Sequence, residues 1–271
     1  MGGLQQFILH EESASYWRVV FENPPLNLVN PDTLVQLRQL VGRIETAPEL
    51  KVVLFESTHP DFFLAHYDMA RATEKVAAEG AVESPWIDFA TRLVHAPVIS
   101  IAAVRGRARG IGNEFLMACD LRFASIERAI FGQPEIGVGI MPGGGALERL
   151  PLLVGRSRAL EIIVGADDLD ATTAERYGLV NRAVPDAELD AVVSNLVRRI
   201  ASFDKRAIAE SKKALNRTGI PDLADLRSSQ DLFRSSIGWP GARTRLKTLV
   251  KRGLGEPGDF ELRLGQHLGS L

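Results

Sequence analysis

The sequence predicts a layered α/β core followed by a helical segment. Three observations carry this. Segments with strand character alternate with segments of helical periodicity over residues 1–200. Two strand candidates, Lys51 to Glu56 (KVVLFE) and Pro97 to Val104 (PVISIAAV), are continuous apolar runs without alternation, which suits strands covered on both faces. Residues 201–271 hold no convincing strand, so they are expected to form a helical appendage that packs on the core or on a neighbouring subunit.

Taken in order, Trp17 to Glu22 (WRVVFE) reads as a short strand ended by Asn23-Pro24-Pro25. Asn30-Pro31-Asp32 reads as a helix start, with a capping Asn, Pro at the first helical position and an acid in the first turn. Leu34, Leu37, Val41 and Ile44 mark one face of that helix, and Pro48 ends it. Ala70 to Val94 reads as mostly helical, interrupted near Ser84-Pro85. Ser125 to Ile130 reads as a hairpin turn. Helical segments then run over Leu147 to Leu153 and Arg156 to Val164, split by Gly155, and over Thr172 to Tyr177, stopped by Gly178. Leu179 to Val184 reads as a strand, and Asp186 to Ile200 and Ala207 to Leu215 as amphipathic helices.

Composition narrows the function classes. A net charge of −2 provides no electrostatic argument for nucleic acid or an anionic membrane. The single cysteine, Cys119, rules out an internal disulfide and sits in an apolar run as a packing residue. One cysteine and five scattered histidines argue against a structural zinc site. The longest apolar stretch, Ala96 to Val104, is well short of the roughly 20 residues a spanning helix needs, and MGGLQQFILHEES carries no basic region or long apolar core. A soluble, cytoplasmic protein is expected.

The chemistry concentrates between Val104 and Glu135 (VRGRARGIGNEFLMACDLRFASIERAIFGQPE). Glu114 and Glu135 fall on different elements, each beside a glycine- or proline-marked turn. A glycine-rich turn opening a helix exposes backbone N–H groups that favour negative charge. An anionic transition state could sit there, with carboxylates moving protons beside it.

Three stretches together carry a resemblance: Phe63-Leu64-Ala65-His66-Tyr67-Asp68-Met69; Arg105 to Phe115 with Cys119-Asp120; and Phe131, Pro134, Glu135, Gly139, Pro142, Gly143 and Gly145. Ala174 to Asn181 (AERYGLVN) adds a fourth. In this order they resemble the enoyl-CoA hydratase/isomerase (crotonase) superfamily over about residues 15 to 216. The resemblance implies a spiral of ββα units, with residues 201–271 as a trimerisation segment, assembled as a trimer or a dimer of trimers. It implies an acyl-coenzyme A thioester as substrate, with no metal or redox cofactor. The backbone N–H groups of Tyr67 and Ile111 would hold the thioester oxygen. Glu114 and Glu135 would carry acid–base catalysis, one activating water for attack at Cβ and the other handling the proton at Cα. Ala65, His66, Asp68, Gly110, Pro142 and Gly143 would line the substrate.

The leading expectation is therefore hydration of a 2-enoyl-CoA. The alternatives are double-bond isomerisation, other enolate chemistry on the same scaffold (hydrolysis, decarboxylation), or a catalytically silent homologue that binds acyl-CoA or RNA.

Three features depart from the family pattern. His66 and Ile111 replace glycines and Tyr67 replaces a small residue, which adds bulk beside both expected donors. His66 is read as a hydrogen-bonded or space-filling imidazole, with a third acid–base group as the alternative. Arg105, Arg107 and Arg109 are read as surface charge or subunit salt bridges rather than phosphate ligands. The basic tail from Arg243 to Arg252 is read as a solvated helix face. Asp120 is expected to anchor its helix, and Asp68 to cap a helix over Met69 to Lys75.

Overall fold

The computed structural model describes residues 5–72, 74 and 84–270. Two sheets interleave along the chain. The larger has six strands in the order β1 (Phe7–Ser13), β2 (Tyr16–Phe21), β3 (Val52–Ser57), β5 (Ile99–Val104), β7 (Leu121–Ser125) and β10 (Arg182–Val184). Only the β1/β2 pair is antiparallel; every other neighbouring pair in it is parallel. The smaller is ordered β4 (Phe62–Leu64), β6 (Arg107–Arg109), β8 (Ile130–Gly132) and β9 (Asp168–Asp170). After β3, β5 and β7 the chain crosses to the smaller sheet and then into helix. The result is a spiral of ββα turns.

The continuous apolar strands are buried on both faces, as read from the sequence. Val53, Phe55, Ala102 and Val104 point into the main core, while Val52, Leu54, Ile101 and Ala103 meet Leu189, Val193 and Val197 of α8 (Asp186–Ser202). Helix α1 (Pro31–Thr46) starts where Asn30-Pro31 predicts: the Asn30 side chain accepts from Thr33 N–H and the Thr33 hydroxyl accepts from Asn30 N–H. Leu34, Leu37, Val41 and Ile44 are all buried. Helix α2 (Pro85–His95) follows Ser84-Pro85; residues 73 and 75–83 of the expected 70–94 helix lie outside the described residues.

Helix α3 (Ile111–Ala118) is locked by Phe115. Its ring meets those of Phe21, Phe55 and Phe89 at 5.2, 5.0 and 5.9 Å between centroids. Beyond it come α4 (Glu135–Val138), α5 (Ala146–Val154), α6 (Arg156–Gly165) and α7 (Ala171–Tyr177), the last ended by Gly178 in the left-handed region.

The C-terminal quarter is helical: α9 (Lys205–Gly219), α10 (Leu223–Ile237), α11 (Pro240–Arg252), α12 (Asp259–Leu262) and α13 (Leu264–Gly269). Lys212 fixes α9 to the core, its buried ammonium donating to Leu93 O, Val98 O and Asp120 Oδ2. The same Asp120 oxygen accepts from the Ser100 amide and hydroxyl, so Asp120, just past the end of α3, ties β5 to α9. Helices α11 to α13 wrap around α4, where Val138 and Ile140 pack on Ala242, Leu249, Leu264 and Leu268. Among the described residues no helix is long and apolar enough to cross a membrane.

Four sequence expectations need correction. Phe7–Ser13 forms an edge strand that the sequence pattern does not signal, because most of its side chains are exposed. Ser125 to Ile130 is no hairpin: β7 and β8 belong to different sheets and the turn carries the chain between layers. The strand expected over 179–184 is only Arg182–Val184, because Leu179 and Val180 close the α7 turn. The three arginines are intramolecular struts. Arg105 pairs with Asp186 and Asp190, and Arg107 donates to Leu262 O. Arg109 is fully buried, bidentate on Asp168 and bonded to Glu261 O. In the basic tail Arg245 is likewise tied inward, to Gly137 O and Leu268 O, whereas Arg243, Lys247, Lys251 and Arg252 are exposed as read.

Candidate active site

The site is built where β4 and β6 run side by side. Arg109 N–H donates to Ala65 O, and two residues further along each strand the chain reaches Tyr67 and Ile111. Gly110 makes the turn into α3 at φ 51° and ψ −123°, a backbone state that strains any side chain. A Cβ there would also fall 2.8 Å from Glu135 Oε1. Gly112 lies against the backbone of the neighbouring strand, where a Cβ would be 2.1 Å from Leu64 O. This close approach seats the first turn of α3 against the loop that carries Tyr67.

Among the described residues, neither the Tyr67 nor the Ile111 N–H is hydrogen-bonded within the chain. Both flanking peptides of Tyr67 are held: Val29 N–H donates to His66 O and Asp68 N–H donates to Val29 O, each at 2.9 Å. None of His66, Tyr67 and Ile111 has a positive φ, so the bulk at these positions is carried on ordinary backbone and the amides are retained.

Glu114 lies in the first turn of α3, 3% exposed. Its Oε1 accepts from Gly144 N–H at 2.8 Å and Ala146 N–H at 3.1 Å. Gly144 is required for this cradle, since a Cβ would sit 2.1 Å from Glu114 Oε2. Trp86 Nε1–H and Arg149 both donate to Gly144 O and fix the loop from behind. Burial pushes the Glu114 carboxyl up to about 7, against the two N–H donors and Arg149, which favour the charged form.

Glu135 opens α4 after Gln133-Pro134. Its Oε1 accepts from Gln133 Nε2, whose own Oε1 accepts from Asn113 Nδ2 on α3. Its Oε2 is shielded from solvent and bonds to no described residue. Burial, and then the negative charge of Glu114, hold this carboxyl well above the usual range. The two glutamates therefore share one electrostatic site. Charge settles more readily on Glu114, whose carboxylate accepts from two loop N–H groups, and the proton on Glu135, which faces the Glu114 charge.

The other expected residues take varied places. Ala65 is fully buried, with N–H and C=O bonded to Asn27 and Arg109. Asp68 Oδ1 accepts from Ala70 N–H and caps a single 3-10 turn, Met69–Arg71; the rest of the helix expected there falls partly outside the described residues. Pro142 and Gly143 are buried, and Gly143 packs against Phe233 of α10, where a Cβ would be 2.4 Å from Phe233 Cβ. The His66 imidazole is bound between Tyr67 O and Glu261, so the hydrogen-bonded reading describes it and a free acid–base group does not. Sequence reasoning missed Trp86, Asn113, Gln133, Gly144, Arg149 and Glu261. The glycine run at 143–145 was the available signal for Gly144; nothing local marked Glu261. Among the described residues no cluster of three or more His, Cys, Asp or Glu side chains is arranged to hold a metal ion.

Known proteins resemble this chain in sequence and fold. Residues 11–237 match the enoyl-CoA hydratase/isomerase family. A short-chain-enoyl-CoA hydratase of Clostridium acetobutylicum is 36% identical over 79% of this chain and 82% of its own length. A crotonyl-CoA hydratase of Syntrophomonas wolfei is 37% identical over 73% of this chain and 77% of its own. A Streptomyces avermitilis crystal structure, provisionally described as an enoyl-CoA hydratase, superposes with a TM-score of 0.93 at 38% identity, covering 100% of this chain and 99% of that one. The chain belongs to the enoyl-CoA hydratase/isomerase family.

Proposed function

We propose that the protein is an enoyl-CoA hydratase that adds water across the double bond of a 2-enoyl-CoA thioester. The observation that carries this is the buried pair Glu114 and Glu135, in which the charge of Glu114 acts on Glu135 and the two are differently supplied with hydrogen-bond donors. Relatives at 36% and 37% identity are a short-chain-enoyl-CoA hydratase and a crotonyl-CoA hydratase, which supports the same reading.

The steps follow from the charges. The Tyr67 and Ile111 N–H groups take the thioester oxygen and stabilise the enolate charge that builds there; one such donor is typically worth roughly 10² to 10³ in rate. Glu114, the site's readier anion, removes a proton from water as the oxygen attacks Cβ. The displaced π electrons move to Cα and the thioester oxygen. Glu135, the site's readier acid, then protonates Cα. Positioned proton transfer contributes roughly 10² to 10⁴. The thioester and its N–H donors supply the electron sink, so the scheme calls on no metal or redox cofactor. Ala65, His66, Asp68, Gly110, Pro142 and Gly143 form the frame of the acyl-CoA site. A trimer or dimer of trimers is the proposed assembly, in which Leu152, Leu160 and Val164, exposed on α5 and α6, would be covered by a neighbouring copy.

The test is mass spectrometry of products from a panel of enoyl-CoA thioesters in heavy-oxygen water. Hydration adds one labelled water to the intact thioester. An unlabelled product of unchanged mass means isomerisation, label in a released carboxylate means hydrolysis, and no product means a silent scaffold.

A further inference from the structure

The C-terminal segment reaches back into the loop that carries Tyr67. Glu261, on α12, is fully buried and lies 195 residues from its partner His66 in sequence. The contact is a chain of short bonds: Gly255 N–H to Glu261 Oε1 at 2.6 Å, Glu261 Oε1 to His66 Nε2 at 2.9 Å, and His66 Nδ1 to Tyr67 O at 2.8 Å. Tyr67 O only accepts, so Nδ1 must carry its proton. Nε2 faces a carboxylate oxygen that already accepts from Gly255, an arrangement satisfied by an imidazolium donating from both nitrogens. The backbone of Glu261 is held as well, by Arg109, whose guanidinium is neutralised by Asp168. The tail is seated tightly: Gly265 lies so close to β9 that a Cβ would fall 2.6 Å from Asp168 N.

We propose that Glu261 is a positioning residue for the oxyanion site, acting through His66 to fix the Tyr67 backbone so that its N–H stays aimed at the thioester oxygen. The inference rests on the reading of Tyr67 as an oxyanion donor. Val29 holds the peptides on either side of Tyr67, and the imidazole adds a third hold at Tyr67 O. A group whose position is set by three bonds loses alignment when one is removed, and a shift of about 1 Å at a reacting centre can cost on the order of 10²-fold in rate.

The charged groups facing His66 are Glu261 from α12, Arg109 from β6 with its partner Asp168 on β9, and Glu135 from α4, whose Oε1 shares the space over Gly110 with His66 Cβ. Burial disfavours the imidazolium and Arg109 opposes it. Glu261 and the Tyr67 carbonyl outweigh both and leave the His66 pKa above its ordinary value. The hold on Tyr67 is therefore strongest below that raised value and weakens as pH climbs through it.

The experiment uses the full chain labelled with [15N]tyrosine. The protein has three tyrosines, so three amide resonances result, and Tyr67 is identified by its loss in Tyr67→Phe. In the parent protein the Tyr67 amide shift is expected to titrate with a midpoint above 6.5. In Glu261→Gln, which keeps the shape and removes the charge, the midpoint moves down. In Glu261→Ala the resonance is displaced at every pH. On crotonyl-CoA, Glu261→Ala lowers kcat about tenfold or more while KM stays within about twofold, and adding His66→Ala causes no further loss. If Glu261→Ala does not fold, the Glu261→Gln titration decides alone. A Tyr67 resonance indifferent to Glu261→Gln overturns the proposal whatever the activity. A protein that turns over no enoyl-CoA but whose Tyr67 amide follows Glu261 keeps the device and loses the hydratase reading.

Discussion

Glu114 and Glu261 are both buried, at 3% and 0% exposure, yet their carboxyls lie on opposite sides of the usual range. At Glu114 burial dominates and lifts the carboxyl to about 7; its neighbours are two backbone N–H groups, a nearby Arg149 and a second acid. At Glu261 burial pulls the same way, but the His66 cation, the Gly255 N–H and Arg109 reverse it. Burial therefore does not decide what a buried glutamate does. A full counter-charge in direct contact makes a fixed structural anion. Backbone dipoles beside a second carboxyl leave a group whose proton is exchangeable near neutrality, as acid–base work requires.

The largest effect that would sharpen this contrast comes from Glu135→Gln. It retains the volume and removes the proton to be delivered, so kcat for crotonyl-CoA hydration is expected to fall by roughly 10² to 10⁴. An unchanged kcat would remove Glu135 from the mechanism and leave only a buried acid. Gly144→Ala comes next. Its methyl would enter the space of Glu114 Oε2, so the carboxylate must leave its two N–H donors, and kcat should drop by roughly 10-fold or more with little change in the circular dichroism.

Glu135 and Glu261 are expected to respond to pH in opposite senses. A carboxyl held above its usual range binds more protons folded than unfolded, so its contribution to stability declines as pH rises from the ordinary carboxylate range through the raised value. Glu135→Gln is thus expected to raise Tm at pH 8 relative to the parent and to change it little at pH 5. Glu261 is held low, so its contribution is present above the ordinary carboxylate pKa and disappears as pH falls through the folded value; Glu261→Gln should lower Tm at pH 7. Shifts of the same sign at neutral to alkaline pH would show that the two sites do not differ as described. The smallest effect is expected from Ile111→Gly, which leaves both carboxyls in place and should raise relative kcat/KM on longer acyl chains a few-fold. Identical chain-length profiles would show that the side chain at 111 does not bound the acyl pocket.

Much of this fold is legible in local chemistry. Asn30-Pro31 caps and starts α1, Gly155 and Gly178 stop helices, and the unalternating runs at 52–55 and 99–104 are buried on both faces because helices cover both sides of their sheet. The short strands of the second sheet are harder to read. Three residues of a strand hold too few side chains to show a period, and their pairing is with strands tens of residues away. Arg109 shows the limit most plainly. In sequence it is the third of three alternating arginines, and only the arrival of Asp168 and the Glu261 carbonyl makes its complete burial tolerable.

The amino-acid order alone determined the layered α/β class, the start of α1 and the helix stops at Gly155 and Gly178, the family resemblance and the two acids at 114 and 135, because caps, glycines and apolar runs act over a few residues. What the carboxyls do was decided by tertiary structure. The Gly144 cradle, the amide relay through Gln133, and the approach of Glu261 to His66 depend on groups brought together from distant parts of the chain. Proton affinity in a buried site is set by whatever charges and dipoles lie within a few ångströms, and sequence spacing does not report that distance.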